Sequence, residues 1–275
     1  MRSGPTLRSQ AEIAVRAISV VHEFGVLPHV VGGERYINRE LKVSAVEPHH
    51  IQQATAYWYS EGVSPATITK RLNCLSKLGV NVDGCRVKVP KQLKWHLKES
   101  DKPKVLAWCR EQFEKHRVPW LDILADYIEW TTITGLRIEE SLWLDLGNDF
   151  SPDYSAVSVP GLKTATSQAT LPLGAEASGV AFRRSFASTS LMFPIPYKDL
   201  QEAWELVREH FGWQHDPTAT LKALRRSAAR YLHVDCGMPL HMVQQYLRHE
   251  SMDTTLEYLR LAGGYGTEEM RRYLR

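Results

Sequence analysis

A mainly α chain in two domains, the second a mixed, mostly helical domain with a small antiparallel β-sheet, is the fold class the sequence predicts. Three observations predict it. Apolar residues recur at helical spacing along most of the chain, one stretch at 154–174 alternates apolar and polar residues instead, and a basic, proline-bearing segment falls between the two halves. At 275 residues the chain is long enough for each half to bury its own core.

The elements follow in order. AEIAVRAISVVHEFG, from Ala11, predicts an apolar-rich helix stopped at Gly25, and VEPHHIQQATAYWYSEG predicts a second that ends at Gly62. Ser64 and Pro65 then supply a cap and a proline at the first helical position of SPATITKRLNCLSKLG, where Ile68, Leu72, Leu75 and Leu78 form the apolar stripe before Gly79. On that helix Thr67, Thr69, Lys70 and Arg71 form either a solvated polar face or a face that lies against phosphate. Residues 1–96 thus make a helical domain.

CRVKVPKQLKWHLK, residues 85–98, carries Arg86, Lys88, Lys91, Lys94 and Lys98 with no acid among them. Pro90 and the Asp101-Lys102-Pro103 run give this region the composition of a domain boundary, placed near residue 97. In the second domain, 97–275, KVLAWCREQFEKH and PWLDILADYIEWTTITG predict helices, the latter running on into GLRIEESLWLDLG. YSAVSVPGLKTATSQATLPLG predicts a β-hairpin with Lys163 at or near its turn. YKDLQEAWELVREHFG places Leu200, Trp204, Val207 and Phe211 on one core stripe. TLKALRRSAARYLHVDCG places Leu221, Leu224, Ala228 and Leu232 on an apolar stripe and Lys222, Arg225, Arg226 and Arg230 on a neighbouring basic one. LHMVQQYL and TTLEYLRLA are two short helices, Asp253 standing where a cap for the second would stand, and Gly263-Gly264 joins them to the tail YGTEEMRRYLR.

Composition narrows the function. The chain is 43% hydrophobic and 24% charged with no apolar run near the roughly 20 residues of a membrane span, and no leader pattern follows Met1, so a cytoplasmic protein is expected. Cys74, Cys85, Cys109 and Cys236 form no CxxC pair and no zinc spacing with histidine, so all four are expected reduced, with no metal and no cofactor. A net charge of +3 is too small to announce a nucleic-acid partner, but the clusters at 85–98 and 222–230 are local and strongly basic.

Tyr258 raises the question of chemistry. A phenol is a poor nucleophile at neutral pH, so a site that used one on a phosphodiester needs cations around the nonbridging oxygens and a proton donor for the departing 5′ oxygen. Arginine suits the first task because its planar fork donates twice and keeps its proton; lysine or histidine suits the second.

TGLRIEESLWLDL around Arg137, KALR around Arg225, and YLRHESMDTTLEY around His249 and Tyr258, in that order and with the hairpin lysine between, resemble the catalytic domain of tyrosine recombinases, the phage-integrase family. The resemblance covers roughly residues 100–262, and SPATITKRLNCL resembles the family's helical DNA core-binding domain. It implies that Arg137 and Arg225 clamp phosphate, that Lys163 protonates the leaving 5′ hydroxyl, that His249 hydrogen-bonds the scissile phosphate and that Tyr258 forms a 3′-phosphotyrosine. Glu140 matches the family's supporting acidic residue.

Three positions depart from the pattern. Lys222 stands where the family most often has histidine, which leaves the general base open; Arg226 replaces a second frequent histidine, and Arg248 replaces a common glycine. The resemblance further implies a clamp on double-stranded DNA with paired recombination sites and a homotetramer on DNA, without metal or ATP. Lys70, Arg71, Arg86, Lys88, Lys91, Lys94, Lys98, Arg226 and Arg230 are the expected DNA contacts. A type IB topoisomerase, which shares lysine at the position of Lys222, and a DNA-binding protein with a degenerate site are the alternatives.

Overall fold

The computed structural model describes residues 29–31, 34–36, 44, 46–77, 79–89, 94–159 and 168–259. The helix expected from Ala11 to Gly25, Leu78, Lys91, Lys163 and the tail after Gly264 lie outside the described residues. The chain divides into two compact units, Met1–Gln92 and Leu93–Arg275.

In the first unit, strands β1 (His29–Val31) and β2 (Glu34–Tyr36) pair antiparallel with His29 opposite Tyr36. This ribbon was not expected from the sequence. Helix α1 (Pro48–Ser60) and helix α2 (Pro65–Lys77) begin at their prolines, where a missing N–H costs nothing. Ser64 caps α2, its Oγ accepting the Thr67 N–H at 3.3 Å. Ile51, Ala54 and Trp58 of α1 meet Ile68, Leu72 and Leu75 of α2, and Val80, Val82 and Cys85 close the core.

The second unit is built around α4 (Pro119–Thr134), which packs on α3 (Lys102–His116), α6 (Ala175–Arg184), α7 (Tyr197–His210) and α8 (Leu221–Arg230). Its residues Leu121, Leu124, Ala125, Tyr127, Ile128 and Trp130 are buried on several sides of the helix, the pattern of a central helix rather than a surface one. The helix does not run on into the next segment as the sequence reading expected. Gly135 ends it in the left-handed conformation (φ 61°), and a short helix α5 (Ile138–Leu142) starts afresh with Arg137 as its N-cap.

Strands β3 (Ala156–Val159) and β4 (Ala169–Pro172) form the expected hairpin, with Val157 opposite Leu171 and Phe150 bridging to Val157 on the other side. Val157, Val159 and Leu171 face the core while Ser158 and Thr170 face out, as a half-buried strand requires. Helix α6 was not anticipated; AEASGVAFRR carries a glycine and little aliphatic bulk. After α8 the chain passes through one π-helical turn (Tyr231–Asp235), then α9 (Leu240–Leu247) and α10 (Met252–Leu259). No helix among the described residues is long and apolar enough to cross a membrane.

The segment at 94–97 is part of the second unit's framework, and the division between units falls a few residues before the boundary expected near residue 97. Trp95 packs against Trp213 and Trp204 at ring-centroid distances of 4.8 and 5.9 Å, and Leu97 is buried. The Trp95 N–H donates to Thr218 Oγ1 at 2.7 Å and the Leu97 N–H to Ser227 Oγ at 2.9 Å. Burying these apolar side chains and pairing their backbone groups makes this stretch ordered core, whatever its basic composition.

Candidate active site

A cleft of about 210 Å³ opens in the second unit where α4, α5, α8 and α10 converge, lined by Arg137, Lys222, Arg225 and Tyr258 together with Thr131, Leu136, Ile138, Glu139 and Leu221. Lys222 and Arg225 lie one turn apart on α8 and therefore share a face. They differ in depth: Lys222 is exposed at the rim, and Arg225 is buried. The single basic stripe expected on this helix is thus divided.

Arg225 owes its depth to two carbonyls. Its Nη1 donates to Gly135 O at the end of α4, and its Nη2 donates to Leu247 O at the end of α9. Helix C-termini present unpaired carbonyls and carry partial negative charge, so they can hold a guanidinium without neutralising it. Burial, with Arg137 nearby, lowers the Arg225 pKa to about 10, which still leaves it charged at neutral pH.

Arg137 is fixed by Glu140. The Arg137 N–H donates to Glu140 Oε2 at 2.9 Å and its Nη1 to Oε1 at 2.8 Å. The first bond is the reach-back of an N3 acid onto the N-cap N–H; the second aims the guanidinium. Arg248 pairs with the same carboxylate, Nη2 to Oε2 at 2.7 Å and Nη1 to Oε1 at 3.3 Å. Burial alone would raise the Glu140 pKa, but the bonds from Arg248 and Arg137 outweigh it and hold the carboxyl below its ordinary range.

His249 follows directly. Its Nδ1 lies 2.9 Å from Thr255 Oγ1, its Nε2 is buried with no hydrogen-bond partner among the described residues, and its ring meets that of Tyr258 edge-on at 4.7 Å. Burial first, then Arg225, Arg137 and Arg248, lower the His249 pKa to about 3, so the imidazole is neutral at neutral pH. Tyr258 is half-buried on α10, beside the cluster of Leu232, Val243, Leu247 and Leu259. Ser251, not Asp253, caps this helix, its Oγ accepting the Thr254 N–H at 3.4 Å; Asp253 lies inside the first turn.

The remaining expected contacts are dispersed. Arg226 turns away from the cleft: its Nε and Nη2 donate to Trp95 O at 3.1 and 3.0 Å, and Nη2 also donates to Thr218 O at 2.7 Å, so it fastens the 94–97 segment to α8. Those donors are engaged on part-buried backbone, which gives Arg226 a structural role. Lys94 pairs with Glu257, the neighbour of Tyr258, Lys98 is exposed, and Arg230 is half-buried on α8. In the first unit Lys70, Arg86 and Lys88 are exposed, and Arg71 lies over the Trp58 ring at 4.8 Å. Lys91 and Lys163 are outside the described residues.

Sequence reasoning missed Gly135, Thr255 and Ser227, and saw Arg248 as a departure from a pattern without a partner for it. Gly135 carried a signal, a glycine inside an uninterrupted helical periodicity. Ser227 and Arg248 carried none, because their partners Leu97 and Glu140 lie more than 100 positions away, and Thr255, six residues from His249, carried none because a threonine inside a short helix looks like any other.

The fold is that of the tyrosine recombinases: a small helical unit followed by a larger helical unit with an antiparallel hairpin, the latter bringing two arginines and a tyrosine to one cleft with a histidine packed on the tyrosine ring. Among solved structures, the Tn1549 transposon integrase in complex with circular intermediate DNA superposes with a TM-score of 0.63 at 16% identity, covering 95% of this chain and 99% of that one. The XerH site-specific recombinase bound to a palindromic difH substrate gives 0.62 at 15% identity, over 84% of this chain and 72% of that one. A λ integrase dimer bound to a core site gives 0.61 at 12% identity, over 93% and 72%. The sequence matches no protein-family model and no curated protein.

Proposed function

We propose that the protein is a site-specific DNA recombinase that cuts and rejoins double-stranded DNA through a covalent 3′-phosphotyrosine at Tyr258. The observation that carries this reading is the convergence of Arg137, Arg225 and Tyr258, from three separate helical regions, on a single cleft with His249 packed on the tyrosine ring.

The chemistry follows from that arrangement. A phosphodiester seated in the cleft meets Arg137 and Arg225 at its nonbridging oxygens, with the Lys222 ammonium at the rim adding a third positive charge. The Tyr258 oxygen attacks phosphorus, the bond to the 5′ oxygen breaks, and that oxygen takes a proton, the task assigned to Lys163. The phenolic proton leaves toward a neighbouring base. His249 is neutral and its Nε2 has no partner among the described residues, which suits that nitrogen to bond the phosphate or the phenol. Because phosphotyrosine keeps the energy of the diester, the same groups run the step in reverse on a second strand without ATP. Integrase and recombinase neighbours were solved with their DNA, and the exposed Lys70, Arg86, Lys88 and Lys98 are the candidate backbone contacts of this chain. A homotetramer on paired sites belongs to the same reading.

The test is covalent capture. The purified chain is incubated with nicked duplexes from a randomised library, and adducts are resolved on a denaturing gel and mapped by peptide mass, with Tyr258→Phe as control. An adduct at Tyr258, enriched on one sequence and formed on paired sites, supports recombination. Adducts indifferent to sequence point to the type IB topoisomerase alternative, and no adduct with duplex binding intact leaves a DNA-binding protein.

A further inference from the structure

Arg248 occupies an unusual place for its residue type. It is the C-cap of α9 and adopts the left-handed conformation (φ 55°), where glycine is at ease and a side chain is strained. Its side chain does not reach solvent to compensate. It turns inward, only 4% exposed, and holds both oxygens of Glu140, whose own side chain is 2% exposed.

The turn that carries Arg248 holds three residues of the site in succession. Leu247 accepts from Arg225 through its carbonyl, Arg248 holds Glu140, and His249 packs on Tyr258. Glu140 accepts two bonds from Arg137 and two from Arg248, which fills the roughly four lone-pair positions a carboxylate offers. With Arg248 absent, Glu140 would have two open positions and could swing toward Arg137 or admit water, and the Arg137 guanidinium would lose its fixed aim.

We propose that Arg248 is a positioning residue: through Glu140 it locks the turn bearing His249 to the N-terminus of α5 and so sets the orientation of Arg137 on the scissile phosphate. This rests on the recombinase reading of the site. Arg248 touches no phosphate; it acts through Glu140. Misaim of a clamp by even 1 Å can cost on the order of 100-fold in rate, so the loss is expected in the chemical step rather than in duplex binding.

The experiment compares Arg248→Gly, Arg248→Lys and Arg248→Met in the full chain, alone and in an Arg137→Lys background. Single-turnover adduct formation is followed on a nicked duplex that the parent cleaves, with duplex affinity and thermal melting measured alongside. Glycine relieves the strained cap, so a merely structural Arg248 predicts a folded Arg248→Gly protein with the parent rate. Positioning predicts adduct formation slowed about 10- to 100-fold with duplex affinity within about threefold, partial rescue by lysine, and little further loss when Arg248→Gly is added to Arg137→Lys. Should Arg248→Gly fail to fold, Arg248→Met and Arg248→Lys carry the same comparison. Parent-like rates in the folded variants, or losses that multiply in the double variant, overturn the proposal and leave the recombinase reading intact. A parent chain that forms no adduct on any duplex overturns both.

Discussion

Replacing Gly135 by alanine tests the core of the site with one methyl group. A Cβ at this position would lie 2.3 Å from Leu247 Cδ2 and 3.2 Å from Ala228 Cβ, and φ is 61°. Left-handed backbone costs a non-glycine residue about 1–2 kcal/mol. Overpacking against the fully buried Leu247 adds about 1–3 kcal/mol, giving roughly 2–5 kcal/mol in all. For a unit of this size that lowers Tm by about 4–20 °C. The backbone must shift to relieve the clash, and Gly135 O then moves away from Arg225 Nη1. Adduct formation is therefore expected to fall even at temperatures where the variant is fully folded. Denaturant unfolding and single-turnover cleavage measure the two effects. The clash has a named partner, so Gly135→Ala with Leu247→Ala is expected to be at least about 1 kcal/mol less destabilised than the sum of the two single changes. A Gly135→Ala protein within 0.5 kcal/mol of the parent, or strict additivity with Leu247→Ala, would refute the close-packing argument.

Three further outcomes are expected. Arg225→Gln removes the buried guanidinium proposed to hold phosphate and should slow adduct formation by about 100-fold or more, read by the same single-turnover assay. Ser227→Ala deletes the acceptor for the Leu97 N–H and should cost about 1–3 kcal/mol in unfolding experiments while leaving the cleavage rate of folded protein near parent, because Ser227 does not line the cleft. His249 has a folded pKa of about 3 against an ordinary 6.5, so its contribution to stability is fully present above about pH 6.5 and is lost as pH falls toward 3. NMR titration should find its imidazole neutral at pH 5, and His249→Asn should flatten this part of the acid unfolding curve; an imidazole that titrates near 6.5 would contradict the buried, cation-flanked placement.

How much of this was legible in the sequence depended on whether the determining contacts were local. The helices from Pro48, Pro65, Tyr197 and Leu240 were readable because a proline or an apolar stripe marks each one within its own residues. The β3–β4 hairpin was readable from alternation. The break at Gly135 showed only as a glycine inside apolar spacing that continues across it; what makes glycine necessary there, the positive φ and the approach of Leu247 112 positions later, is not local. Arg225 and Arg226 look alike in sequence, yet adjacent helical residues point about 100° apart, and one faces the cleft while the other holds Trp95 O. The basic composition of 94–98 suggested a domain boundary. Trp95 and Leu97, two apolar residues among those lysines, decide its burial.

The charge distribution of the cleft connects its stability to its chemistry. Among the described residues, Arg137, Lys222 and Arg225 line the cleft with Glu139, which is exposed at the rim, and behind them Arg248 and Arg137 saturate Glu140. Arg225 is held by carbonyls alone among the described bonds, so its charge is oriented but not cancelled. Burying such a charge opposes folding, and a bound anion relieves that cost. On the reading proposed above, a phosphodiester brings one negative charge, and the five-coordinate state of tyrosine attack would spread about two over the phosphoryl oxygens. On that reading the excess of positive charge among the described residues complements the transition state better than the bound substrate. Interactions that strengthen as the reaction proceeds are the ones that raise its rate. An additional carboxylate beside Arg225 would make the free protein more stable and the enzyme slower, which is a physical reason for a guanidinium at this depth to be held by backbone carbonyls.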